Sequence, residues 1–334
     1  MLLLHLILTT ILVSPTTADS KNERITPPRG ALVVDISTKI PGSHPNISAA
    51  VTALRNTSSP QTIYIAPGTY AEQVYIPPLA GPLVVQGYTK DARSWKDNRV
   101  TITGNLSRQT PGLVNNDATA TVRLWTPNVK LYNLDVANTF GEAATGGQAL
   151  ALSAQNTNQG FYGCKFTGYQ DTVYANEGRQ VYAKSFINGA VDFIFGLRAS
   201  AWFDKVAIET IGPGFITANG RDAENNTSIY VFNQADIRGT SGANSTYLGR
   251  PWRQWSRVVF QRSYLGDVVD SEGWSRWDGV QPVENVVYEE YKNYGPGAKG
   301  PRVGFSEQVD KPIKIEDVLG RAFEREFWVD MEYL

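Results

Sequence analysis

Cysteine and histidine are almost missing from this chain. Among 334 residues there is one cysteine, Cys164, and two histidines, His5 and His44. A single cysteine excludes an intramolecular disulfide, so stability must come from apolar burial and backbone pairing. Cys164 also lacks a partner histidine for nucleophilic work and reads as a buried core residue. His5 belongs to an N-terminal leader, which leaves His44 alone. A Ser-His-Asp triad, a Cys-His pair and a His-ligated zinc site therefore lack their parts. Neither a metal nor a cofactor is expected, and any chemistry falls to carboxylates, amides and arginines. A charge excess is lacking too: 31 Lys and Arg stand against 32 Asp and Glu, a net charge of −1. That balance gives no footing for nucleic acid or an anionic membrane as partner.

Long apolar runs are limited to one, Leu2 to Val13. It is shorter than the roughly 20 residues a bilayer crossing needs. Small residues follow, with Thr16 and Ala18 at the two positions that signal peptidase reads. We expect residues 1–18 to be a cleaved signal and residues 19–334 to form one domain of a secreted, extracellular, monomeric protein. Six Asn-x-Ser/Thr sequons, at Asn46, Asn56, Asn105, Asn225, Asn226 and Asn244, fit a glycosylated protein of that kind.

Short alternating apolar runs dominate the rest, among them QTIYIAPG, PLVVQGY, RVTITG and VKLYNL, punctuated by Gly, Asn and Pro. Residues 31–37 read as a strand and 46–56 as a helix. Six segments align around Tyr132, Tyr162, Tyr182, Phe203, Phe232 and Phe260, with spacings of 30, 20, 21, 29 and 28. A base near 20 with insertions suits coils of a parallel β-helix rather than a β-sandwich, which would show regular short hairpin turns. The tail from Arg302 changes character, and 312–328 looks partly helical, as a segment packed on the outside would. The expected fold is all-β: a right-handed parallel β-helix with an N-terminal helical cap.

Coil spacing converts sequence distance into proximity. Asp171 and Asp192 are 21 residues apart, and Gln148 precedes Gln170 by 22. On successive coils they would be separated by about 4.8 Å per coil. Two carboxylates that close do not both ionise easily, which leaves one carboxylate and one carboxylic acid. The glutamine amides can donate to an oxyanion without adding charge. Arg250 can hold one aspartate ionised. Taken singly, each of these residues has an ordinary structural use; the shared spacing is what joins them.

The segments GTYAE (68–72), QALAL (148–152), YQDTVY (169–174), DFIFG (192–196), LGRPW (248–252) and YKNYGPGA (291–298) resemble the pectin methylesterases, in the family's order and across most of the chain. QDTV and QALAL depart mildly from the commoner QDTL and QAVAL. The absence of a long N-terminal pro-region resembles the fungal type. The resemblance implies hydrolysis of the C6 methyl esters of homogalacturonan. Asp192 would be the nucleophile and Asp171 the general acid and base. Gln148 and Gln170 would hold the oxyanion, with Arg250 on Asp192. Trp252 would border the sugar subsites, with Tyr174, Phe195 and either Trp274 or Trp277 as stacking neighbours. Two rivals remain at this stage. A glycosidase would also use paired carboxylates, but the amide pair and the motifs speak against it. A polysaccharide binder without activity would not need all five polar residues.

Overall fold

The computed structural model describes residues 23–334, so the leader read at residues 1–18 lies outside the described residues. Short β-branched and aromatic runs form parallel strands, each pairing with its counterpart one coil before and one coil after. Eleven strands, from Leu32–Val34 through Glu177–Ala183 to Ser306–Gln308, form one face. Two further rows complete the coil. One starts at Gly68–Ala71 and the other at Val74–Ile76, and both run into the long strand Phe186–Gly196. The result is a right-handed parallel β-helix, the hand that parallel crossovers strongly favour. Among the described residues no helix is long and apolar enough to cross a membrane.

The interior is a ladder. Phe161, Tyr182, Phe203, Phe232 and Phe260 occupy one register column and stack with centroids 4.5, 4.6, 4.4 and 4.3 Å apart. Here the sequence alignment slips by one residue. Tyr162 pairs with Ala183, and Phe161 pairs with Tyr182. Because strand side chains alternate, that slip moves Tyr162 to the outer face. Two adjacent aromatics, Phe161 and Tyr162, gave the repeat no means of choosing between them.

The outer tyrosines are covered by the C-terminal segment. Tyr132 donates to Asp330 at 2.7 Å, and Tyr162 donates to the Trp328 carbonyl at 2.8 Å. Trp328 is fully buried there with Val181, Val231 and Val259. Arg179 holds both oxygens of Glu326 at 2.5 and 2.6 Å. This tail is helical over Ile315–Leu319 only, followed by a 3-10 turn at Phe323–Arg325. The N-terminal helix, by contrast, is shorter than read. It spans Ile47–Thr52, with Asn46 accepting the Ala49 N–H as its cap. It stops early because the Gln61 side chain bonds both the N–H and the carbonyl of Arg55, holding that stretch in a turn.

Strand Phe186–Gly196 turns the corner from one row to the next, with register shifts between Gly189 and Ile194. Asp192 lies in this corner with φ of 50°. Asp171, at the same corner one coil earlier, has φ of 63°. Asp tolerates the left-handed region better than most residues.

Candidate active site

Gln148, Gln170 and Val191 bridge in parallel on three successive coils. The next residue in each coil is Ala149, Asp171 and Asp192. The backbone N–H of Ala149 donates to the Gln170 carbonyl, and that of Asp171 to the Val191 carbonyl, both at 3.1 Å. The two aspartates are thus set one coil apart in register, as the 21-residue spacing predicts. Both are 5 % exposed, so each carboxyl pays for lost solvation unless it is neutral or paired.

Their environments differ. Arg250 follows strand Thr246–Gly249 and donates through Nε to Asp192 Oδ1 at 2.9 Å and through an NH2 nitrogen to Oδ2 at 2.7 Å. Its guanidinium carbon lies 4.0 Å from the Phe215 ring centroid and 4.2 Å from that of Trp277. Among the described residues Asp171 has no such cation. Burial, then the Asp192 charge, hold its carboxyl well above the usual range, with Arg250 opposing weakly. Burial also raises Asp192, but the Arg250 hydrogen bonds and charge pull it back. Both carboxyls are raised, Asp171 more strongly, and Arg250 favours the ionised form of Asp192.

A cleft of about 300 Å³ opens over them, lined by Gln148, Gln170, Phe195, Ala218, Trp252 and Trp277 as well as the carboxylates and Arg250. Among the described residues the half-buried side-chain amides of Gln148 and Gln170 have no protein hydrogen-bond partner. They remain available to a ligand oxygen. Gly147 leaves space for one of them: a Cβ there would meet Gln170 Oε1 at 2.7 Å.

The aromatic residues divide. Phe195 lines the cleft, stacked on Tyr174 at 4.3 Å and edge-on to Trp252 at 6.0 Å. Tyr174 supports Phe195 from the neighbouring coil. Trp277 reaches the cleft, but Trp274 does not. Trp274 is fully buried inside the coil, stacked on Tyr288 at 4.1 Å and donating to Glu290. The expectation that Trp274 could stack on a sugar is thereby corrected: its ring is taken up by the core, and of the two tryptophans only Trp277 lines the cleft.

The sequence reading missed Asn116. Its Nδ2 donates to Asp171 Oδ2 at 3.0 Å. It sits in a loop outside the repeat, so no coil spacing marks it. Cys164 is buried, its thiol pushed up to about 12 by desolvation. His44 lies beside the first strand, its N–H on the Val33 carbonyl. Among the described residues no group of three or more His, Cys, Asp or Glu is placed to hold a metal ion. A larger hollow of about 410 Å³ includes Glu72 and Asn105. Glu72 accepts from the N–H groups of Ile47 and Ser48, so that hollow offers no carboxylate pair.

A family model described as Pectinesterase matches residues 33–311. A pectinesterase of Aspergillus niger is 46% identical over 320 residues, covering 93% of this chain and 94% of its own. One from Aspergillus aculeatus is 45% identical over 319 residues, with the same coverage. Among solved structures, the deglycosylated pectin methylesterase from Aspergillus niger superposes with a TM-score of 0.85 at 36% identity, covering 93% of this chain and 100% of that one. The carrot pectin methylesterase superposes with a TM-score of 0.75 at 28% identity, covering 86% and 90%.

Proposed function

The chain belongs to the pectinesterase family and is a pectinesterase, and from that premise we propose that it cleaves the C6 methyl esters of homogalacturonan through an acyl-enzyme on Asp192. The observation that carries this reading is the two-point grip of Arg250 on Asp192, which no cation among the described residues matches on Asp171. It supports different roles for two carboxyls that sequence spacing leaves equivalent.

Asp192 attacks the ester carbonyl. Each of its oxygens keeps a lone pair beyond the one Arg250 engages. The carbonyl oxygen becomes an oxyanion, which the Gln148 and Gln170 amides receive; one such donor is typically worth about 2.7–4 kcal/mol of barrier. As the tetrahedral species collapses, the C–O bond to the methoxyl breaks and Asp171 delivers its proton, releasing methanol. The substrate acyl group is now joined to Asp192 as a mixed anhydride. Asp171, now a carboxylate, takes a proton from water as that water attacks the acyl carbon. Breakdown returns Asp192 as a carboxylate and leaves galacturonic acid, which ionises to galacturonate and a proton. Together with one water, these residues account for every proton and bond in the scheme. Phe195, Trp252 and Trp277 border the sugar, their ring faces suited to pyranose C–H groups.

The same reading includes removal of residues 1–18, secretion of residues 19–334 as one domain, and action as a monomer. Glycans fit the exposed Asn46, Asn56, Asn105, Asn225 and Asn244. Asn226 instead commits its amide to the Leu197 carbonyl and Asp222.

The test is to incubate the mature protein with highly methylated pectin and to measure methanol, titratable acid and new reducing ends together. Methanol and acid should appear one to one without chain cleavage. Reducing ends without methanol would overturn the reading.

A further inference from the structure

We propose that Asn116 is a positioning residue for Asp171, fixing which oxygen of that carboxyl carries the transferable proton. The inference rests on the reading of Asp171 as general acid. Asn116 Nδ2 donates to Asp171 Oδ2 at 3.0 Å. A carboxyl oxygen that accepts a hydrogen bond is the carbonyl-like one, so the proton resides on Oδ1. When that proton leaves with methanol, Oδ2 keeps its amide donor and Oδ1 stays open to receive a proton from water. One oxygen then serves both half-reactions, without rotation of the carboxyl between them.

The amide is held on a rigid platform. Asn116 precedes the 3-10 turn Asp117–Thr119. Its carbonyl accepts from the Thr119 N–H at 2.9 Å and from Thr119 Oγ1 at 2.8 Å. The next residue anchors the loop to two strands. Asp117 Oδ1 accepts from Ser153 at 2.7 Å and Trp125 at 3.2 Å, and Oδ2 accepts from Arg123 at 3.0 and 2.6 Å. Asp117 is therefore engaged on the side of strands Val122–Leu124 and Leu152–Ala154. That leaves Asp192, Arg250 and Tyr174 as the ionisable groups facing Asp171 from neighbouring elements. None of these binds Oδ2 in place of the amide. Such locking from behind is how reacting groups are kept within a fraction of an ångström of a productive geometry.

The test compares the full mature chain with Asn116→Ala and the similarly sized Asn116→Leu, recording methanol release on methylated pectin across pH alongside thermal unfolding. Loss of the donor destabilises the ionised form of Asp171. The alkaline limb of kcat/KM, which reports loss of the acid's proton, should rise by about one pH unit. Turnover should fall about tenfold, with KM changed less than about twofold. Asn116→Leu keeps a similar volume without donor or charge and should lift the limb as well, so it decides the matter if the alanine variant does not fold. A folded variant with the limb in place and turnover near parental would overturn the proposal. Asp171→Asn runs beside them. If it retains turnover, the general-acid reading fails and takes this inference with it. If it is inactive and the limb stays fixed in the Asn116 variants, this inference alone fails.

Discussion

Arg250 grips both oxygens of Asp192 while its guanidinium is sandwiched between the rings of Phe215 and Trp277. The planar fork matches a carboxylate at two points, and the two ring faces prevent it from swinging away. The side chains of the pair are 19% and 7% exposed, so water screens it little.

Arg250→Lys tests that grip. A lysine brings one point charge where two fixed donors are needed, and it stacks poorly on rings. We expect kcat/KM to fall about a hundredfold, the usual result of misplacing a reacting group. With the donors gone the Asp192 carboxyl titrates higher, and it must be ionised to attack. The acid limb of the pH profile should therefore move to higher pH. A pH-rate series on both proteins measures it, and an unmoved limb with parental kcat/KM would contradict the assignment.

The two tryptophans of the GWSRW segment should behave oppositely. Trp277→Ala removes one face of the Arg250 sandwich and part of the cleft wall. It should lower kcat/KM about tenfold with little effect on thermal unfolding. Trp274→Ala opens a cavity in the coil and frees Glu290 of a partner. It should destabilise by about 3–5 kcal/mol while the folded fraction keeps near-parental kinetics. Denaturant titration and kinetics on the same preparations separate the two effects.

Asp171 should make stability depend on pH. Its carboxyl is raised in the folded state by burial and by Asp192, so the folded protein binds a proton that the unfolded chain releases near pH 3.9. Stability from this group is complete below that pH and is lost as pH rises through the folded value. Asp171→Asn keeps a neutral side chain throughout and tolerates the left-handed backbone. At pH 7 it should be more stable than the parent by about 1 kcal/mol, a common gain at active sites. The difference should vanish below about pH 4. Thermal unfolding at several pH values reads it directly.

The fold was legible because each coil repeats its apolar rhythm, and in a parallel β-helix one repeat is one step along the axis. Register was less legible. Period two does not choose between Phe161 and Tyr162, and only the tail covering the outer face explains why both are aromatic. Gln148, Gln170, Asp171 and Asp192 could be brought together from spacing alone because each sits at the same corner of its coil. Arg250 lies two coils beyond Asp192, just after the Thr217–Gly249 pairing, and its motif rather than its spacing pointed to it. Asn116 carried no signal of either kind. It reaches Asp171 from a loop whose position depends on the side chains anchoring Asp117. The N-terminal helix was overread because local side-chain bonds, such as Gln61 on Arg55, compete with helical pairing, whereas the tail is partly helical as expected.

The central claim is that Asp192 is the atom source of the attack, and Asp192→Asn tests it most directly. The amide preserves size and can still accept a bond from Arg250, so the variant should fold cooperatively and bind methylated oligogalacturonide as the parent does. Methanol release measured over hours at high enzyme concentration should fall by about 10⁴-fold or more, the scale on which removal of a nucleophile acts. Turnover within about tenfold of the parent in a folded variant would show that another group makes the bond to the substrate, and would contradict the account.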